Sequence, residues 1–462
     1  MSVPETSQAS TGLADRIPLS LNQEFLCAFD KGDAEGAFSH RHTLVFGWRI
    51  NGEIDIDTLR GALDDVVARH ETLRTSIVRG GDDRHQEIHP PSPVELVVRD
   101  LSGGDPATRD VQAEELVNEL DAGTYSVAEL PHLRAVLGRF ADDDAVLVLI
   151  AHHTATDSWS IELIIRDLAA FYAARRGHGP VDLPQVHQYR EFAVWQQENL
   201  DTDAMNASRE YWRGKLRDAQ ILAIPTDRPR SAEVVATYSV YRFLIDAELT
   251  SATMKFAKTT RSSPFMVMLA AYNVLLNKMT GATDIVVPTF TSGRYQDRFL
   301  DTVGPFFNFV PLRTDISACG TFREVVDRAR ETCIDVYTHD IPFAQVVNEV
   351  PDLIRPFAEP DRSVVAFEVL QSPMAMDGEV VGDLKYSEVR RRLLSQPVGS
   401  DIPDGALWAM DVLPSGEIVG SLKFNGNLFD ESTMITMVSE FRRVLGRAVA
   451  APDAPLTEIQ AP

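Results

Sequence analysis

The residues with the clearest chemical potential form one run, His152-His153-Thr154-Ala155-Thr156-Asp157-Ser158-Trp159-Ser160. An imidazole with an ordinary pKa of about 6.5 can take or hold a proton near neutrality, and a carboxylate four residues on can orient the loop or pair with a distant arginine. The same residues would also serve as plain polar groups where a strand surfaces. No further histidine, cysteine or acidic cluster stands nearby at ligand spacing, so a metal is not expected.

The elements around the run predict how it is held. Residues 145–151, all apolar, follow the acidic cluster Asp142-Asp143-Asp144 and predict a buried strand. Successive strand side chains face opposite ways, so His152 and His153 should diverge, with one looking into a given cavity. After Asp157 the apolar period changes: Ile161, Ile164, Ile165, Leu168, Phe171 and Tyr172 share a helix face. The motif is therefore a strand–loop–helix junction.

The spacing His-His-x-x-x-Asp followed by Trp-Ser resembles the condensation domains of nonribosomal peptide synthetases, within the chloramphenicol acetyltransferase-like superfamily. That family has glycine after the aspartate, where this chain has Ser158. Other segments, in order, carry the same resemblance: 69–75 (Arg-His-Glu-Thr-Leu-Arg-Thr), 189–196 around Tyr189 and Trp195, Gly293-Arg294, 303–313 with Asn308, and His339-Asp340-Ile341-Pro342-Phe343. His70 in the first of these is expected to be structural.

The resemblance implies an α/β fold of two acetyltransferase-like lobes forming a V-shaped pseudo-dimer, with a tunnel between them. Its donor would be an acyl or aminoacyl thioester on the phosphopantetheine arm of a peptidyl or acyl carrier protein, with no bound cofactor. The acceptor would be a small alcohol or amine, giving an ester or amide. His153 would be the central residue and His152 would shape the loop. Asp157 would be braced by Arg294, with Arg313 as the competing partner. Trp159 and Ser158 would border the acceptor, and the helix-start N–H groups there would face a developing oxyanion. Asn308 would lie near the cleft or fix backbone. No adenylation core or carrier serine motif is visible, so a free-standing enzyme is expected, of the kind found in natural-product pathways, including ester-forming steps of enediyne antibiotics. Alternatives are an epimerisation domain, a coenzyme A-dependent acyltransferase and a non-catalytic recruiting platform.

The 462 residues are 44% hydrophobic and 24% charged, enough for a large core in two or three domains. A formal net charge of −24 argues against nucleic acid or an anionic membrane as partner. Three scattered cysteines, Cys27, Cys319 and Cys333, read as free thiols in a reducing compartment, the cytoplasm. Residues 1–14 read as a frayed tail, 15–178 as the first lobe, 179–187 as a linker and 188–462 as the second lobe. Further expectations are a helix capped by Asp57 with the apolar stripe Leu59, Leu63, Val66 and Val67, a strand pair over 83–101, one helix from Tyr189 to about Leu216, a helix entered through Ser263-Pro264 and closed by Gly281, and a last helix capped by Asp430.

Overall fold

The computed structural model describes residues 16–461 except 82, 232, 371–375 and 403; the expected tail over 1–14 lies outside the described residues. Its architecture starts from the strand that precedes the histidines. Asp144–His152 is buried along its whole length, and its side chains alternate between two cores. Ala145, Leu147, Leu149 and Ala151 pack beneath helices Ile56–Arg69 and Ser158–Arg175. Val146, Val148 and Ile150 pack on the other face with helix Arg109–Asp121. A strand buried on both faces has to be apolar at every position, which is why no polar residue interrupts 145–151.

This strand is central in a six-stranded sheet. Its neighbours are Thr43–Asn51 and Leu133–Ala141, both antiparallel; Glu95–Asp100 runs parallel to the latter at one edge. The opposite edge comes from far along the chain: Leu384–Glu388 pairs with Thr43–Asn51, and Asp377–Val381 pairs with Leu384–Glu388. The segment 188–462, expected to form the second lobe alone, thus sends two strands into the first lobe's sheet. Their alternation explains it, because Leu384 and Tyr386 drop into the core that holds Trp48 and Leu147.

The second lobe has a five-stranded sheet, Ala223–Pro225, Arg362–Leu370, Ala406–Val412, Ile418–Asn425 and Tyr238–Ile245 in spatial order. Helices Pro264–Thr280 and Glu431–Ala450 cover it through a shared core that includes Tyr272, Phe367, Trp408 and Phe441. A separate ribbon pairs Asp284–Thr291 with Asn308–Asp315.

Ser263, Pro264 and Gly281 bound their helix as expected, with Gly281 at φ +75°. Other local expectations are corrected. Asp55, not Asp57, caps the Ile56–Arg69 helix, accepting the Thr58 N–H. The strands within 83–101 do not pair with each other: His85–Ile88 joins Thr75–Val78, because the prolines between the two strands carry the chain away. The helix from Tyr189 stops at Glu198, and a second begins at Asp203 with Thr202 as its cap. Asp430 sits at the start of the Glu431–Ala450 helix but its carboxylate binds Arg228 instead of capping it.

Tyr386 is 2% exposed in the first lobe's core. Tyr386→Ala should cost about 3 kcal/mol or more in chemical denaturation, the range for emptying a buried aromatic site. A loss under about 1 kcal/mol would mean that the donated strands are not integral to that core.

Candidate active site

His153 leaves the central strand end into a tight turn. The register places Thr43 opposite His152, and the backbone N–H of His153 donates to the His42 carbonyl at 2.9 Å. The His153 Nδ1–H donates to the carbonyl oxygen of Thr156 at 2.7 Å. That bond fixes the tautomer: Nδ1 carries the proton and Nε2 keeps a bare lone pair. Burial, before any other influence, holds the ring's pKa below the usual histidine range, although the Thr156 carbonyl and Asp157 oppose it. The ring packs face to face with His42, centroids 4.8 Å apart, and edge-on with Phe307 at 5.0 Å.

His152 diverges from it, as alternation requires. It is buried, with Nε2 against the Ser39 carbonyl at 3.1 Å and Nδ1 against the Thr154 hydroxyl at 2.8 Å. Both nitrogens are occupied, and burial pushes its pKa down to about 3. The ring ties the loop to the segment before the first strand.

Asp157 caps the Ser158–Arg175 helix, accepting the Ser160 N–H at 2.7 Å. Its carboxylate also receives Arg294 in bidentate fashion, Nη1 to Oδ2 at 2.5 Å and Nη2 to Oδ1 at 3.1 Å. The Arg294 side chain is 0% exposed and that of Asp157 7%. The guanidinium also donates to the Thr302 carbonyl at 3.1 Å and lies over the Phe306 ring at 4.2 Å. Gly293 makes this possible: it has φ +62°, and a Cβ there would stand 1.7 Å from the Phe306 carbonyl oxygen. The competing Arg313 binds Asp284 at the edge of the two-stranded ribbon instead.

Ser160 completes the joint, its hydroxyl donating to Asp157 at 2.6 Å and accepting the Gly304 N–H at 2.9 Å. Trp159 donates its indole N–H to the Leu300 carbonyl at 2.9 Å. Ser158 is the first helical residue and is not among the residues with positive φ, so serine is unstrained there and acts through its bulk and hydroxyl alone. Asn308 fixes backbone: it donates to Asp340 at 2.7 Å and the Ile341 carbonyl at 2.8 Å, and accepts the Phe343 N–H at 2.9 Å. His70 is buried against Asp167 at 2.9 Å, a structural contact.

His153, Asp157, Ser158 and Trp159 line a cavity of about 430 Å³ whose other walls come from 25–46, Glu162, 290–309, 343–370 and 388–423. Phe290, Phe307, Phe309 and Phe343 make much of it apolar. Sequence reasoning missed most of its other polar residues, among them His42, Glu162, Glu388 and Lys423. His42 was within reach, since it precedes a strand that must pair with the histidine strand. Glu162 lies four residues after Ser158, hence on the same helix face. Glu388 and Lys423 carried no local signal, because only the distant strand pairings bring them here.

Among models of known families, the one described as Condensation domain matches residues 14–462. The chain belongs to the condensation domain family. It is 33% identical over 460 residues to the probable non-canonical nonribosomal peptide synthetase CymA of Salinispora arenicola (strain CNS-205), covering 96% of this chain and 6% of that protein. It is 31% identical over 442 residues to the phosphinothricin tripeptide synthetase PhsC of Streptomyces viridochromogenes, covering 94% of this chain and 39% of that one. The domain thus spans a small fraction of these relatives' length. Among solved structures it is similar to the SgcC5 protein of Streptomyces globisporus, crystallised with (R)-(-)-1-(2-naphthyl)-1,2-ethanediol and sucrose: TM-score 0.92, 49% identity, 95% of this chain and 100% of that one. The first condensation domain of the calcium-dependent antibiotic synthetase shares the fold at TM-score 0.76 and 20% identity, over 96% and 99% of the two chains. The fold is therefore the two-lobed chloramphenicol acetyltransferase-like one, and the function is of the condensation type, a class of acyltransferase.

Arg294→Ala leaves the Asp157 carboxylate buried without its cation. It should cost about 3–5 kcal/mol of folding stability by chemical denaturation. An unchanged midpoint would contradict the brace.

Proposed function

We propose that this condensation domain joins an acyl or aminoacyl group, carried as a thioester on the phosphopantetheine arm of a carrier protein, to a small acceptor, and that the acceptor is an alcohol, giving an ester. The observation that carries the reading is the bare Nε2 of His153 at a cavity reached by both lobes. The acceptor hydroxyl donates to this nitrogen. As its oxygen bonds to the thioester carbonyl carbon, its proton passes to Nε2. Collapse of the intermediate breaks the C–S bond, and the proton leaves with the thiol. A neutral imidazole suits this work, because a protonated one has no lone pair to offer. Asp157 holds the loop and takes no proton. The Ser158 and Trp159 N–H groups, at a helix start where intrahelical acceptors are lacking, are the donors assigned to the oxyanion.

The alcohol preference is supported by two observations. SgcC5, the 49% identical protein, is crystallised with an aryl 1,2-ethanediol. The cavity wall of Phe290, Phe307, Phe309 and Phe343 suits an aromatic acceptor, and the Ser158 hydroxyl, where the family has glycine, offers a polar contact beside it. An ester-forming step in assembly of an antibiotic such as an enediyne fits this acceptor class.

The test is incubation with an aryl 1,2-diol, or the matching amino alcohol, and the same acyl group on a carrier or on coenzyme A. Ester formed from the carrier thioester is the expected product. Turnover with coenzyme A alone, altered stereochemistry without transfer, or carrier binding without turnover would each replace the proposal. His153→Ala should lower carrier-dependent turnover at least ~100-fold. Ser158→Gly should shift the ratio of ester to amide product, and an unchanged ratio would remove Ser158 from acceptor choice.

A further inference from the structure

One wall of the cavity holds carboxyl groups that the acyl transfer above does not use. Glu162 follows Ser158 by one turn of the helix and faces the same way. It is 4% exposed, and its Oε2 has no hydrogen-bond partner among the described residues. Glu388 comes to the same wall on the strand donated to the first lobe's sheet. Its side chain is 7% exposed, and its Oε2 is also without a hydrogen bond. The two carboxyls are close enough for the protonation of one to depend on the other.

The cation beside them is already engaged. Arg390 turns its guanidinium to Asp411, with Nε donating at 2.9 Å and Nη2 at 2.5 Å, and stands 3.5 Å from Glu388 without hydrogen-bonding it. Three carboxyls, Glu162, Glu388 and Asp411, therefore share one guanidinium, and Asp377 adds a further negative charge near Glu388. Burial is the largest cause raising the pKa of both Glu162 and Glu388. At Glu388 the Glu162 and Asp411 carboxyls add to it and Arg390 opposes, whereas at Glu162 Arg390 and the Glu388 carboxyl oppose it and Asp411 adds a smaller rise. Buried polar atoms without partners are rare in native proteins, and unpaired buried carboxyls are costly. Here they face a cavity that takes substrate. A positively charged group of a substrate would supply the hydrogen-bond donors that these oxygens lack.

We infer that Glu162 and Glu388 form a subsite for a primary ammonium group of the substrate. The assignment rests on the cavity being the condensation site. An ammonium held between carboxylates has no lone pair with which to attack, so it is a recognition group and not the nucleophile: the amine of an aminoacyl donor, or that of an acceptor which reacts through its hydroxyl. An ammonium supplies donors to both free oxygens, and its arrival displaces a proton that burial keeps on the pair. Binding should therefore release a proton and tighten as pH rises.

The test uses the full chain and calorimetry in two buffers of different ionisation enthalpy. The probes are phenylalaninamide, its β-amino isomer and 3-phenylpropanamide, which lacks the amine. At about pH 7, where more of the probes' amino groups still carry their proton, at least one amino probe should bind about tenfold or more tighter than the desamino probe, with proton release, and the advantage should shrink towards about pH 5. Glu162→Gln and Glu388→Gln, isosteric and without the charge, should each remove the preference and the proton release. Equal affinity of all three probes at the higher pH, binding without proton release, or a preference that survives both substitutions would overturn the subsite. Should neither variant fold, proton release by the native chain decides alone. His153→Ala separates the two proposals: it should abolish turnover and leave the amine preference intact. Loss of all carrier-dependent turnover in the native chain counts against the condensation reading, whatever the probes do.

Discussion

The buried pair of Asp157 and Arg294 is the constraint on which the site depends. Asp157 begins the helix that covers the first lobe's sheet, and Arg294 follows the strand of the two-stranded ribbon on the far side of the cavity. A carboxylate and a guanidinium taken out of water are tolerated only when nearly every lone pair and N–H finds a partner. Here the partners include the Ser160 hydroxyl and the Thr302 carbonyl, with the Phe306 ring beneath the guanidinium. The geometry leaves little freedom to either side, so the cavity's two walls are set by one joint. Glycine at 293 and 304 serves the same joint: a Cβ at 304 would overlap the Tyr189 ring at 2.0 Å, as one at 293 would meet the Phe306 carbonyl.

The loop held by that joint sets the chemistry of His153. With Asp157 anchored, the Thr156 carbonyl points back at Nδ1 and leaves Nε2 without a proton. The stacked His42, its own pKa driven well below the usual value by burial and then by His153 and His152, discourages a positive charge on either ring. His152 looks equivalent in the motif but has both nitrogens bound in the interior. The division of labour between adjacent histidines follows from strand alternation and from which ring has a hydrogen-bond partner at each nitrogen.

Much of this was legible because it is local. The strand over 145–151, the helix after Asp157 and the glycine before Arg294 each follow from a rule about neighbouring residues. The family's ordered motifs then supplied the long-range pairing of Asp157 with Arg294. What was not legible came from distant strand pairing: two strands near residue 380 close the first lobe's sheet and carry Glu388 to the cavity. Apolar alternation at Leu384 and Tyr386 tells that one face is buried, not against which sheet. The single helix expected from Tyr189 to Leu216 failed for a different reason, since the capping threonine at 202 outweighs a continuous helical pattern.

The central claim is that His153 is held neutral with its proton on Nδ1 and its lone pair at Nε2 open to the cavity. The direct measurement is nitrogen NMR of chain labelled at the histidine rings, with His153 assigned by comparison with His153→Ala. At neutral pH the account predicts a protonated Nδ1 and a pyridine-type Nε2 for this ring. A proton on Nε2, or an imidazolium with protons on both nitrogens, would contradict it.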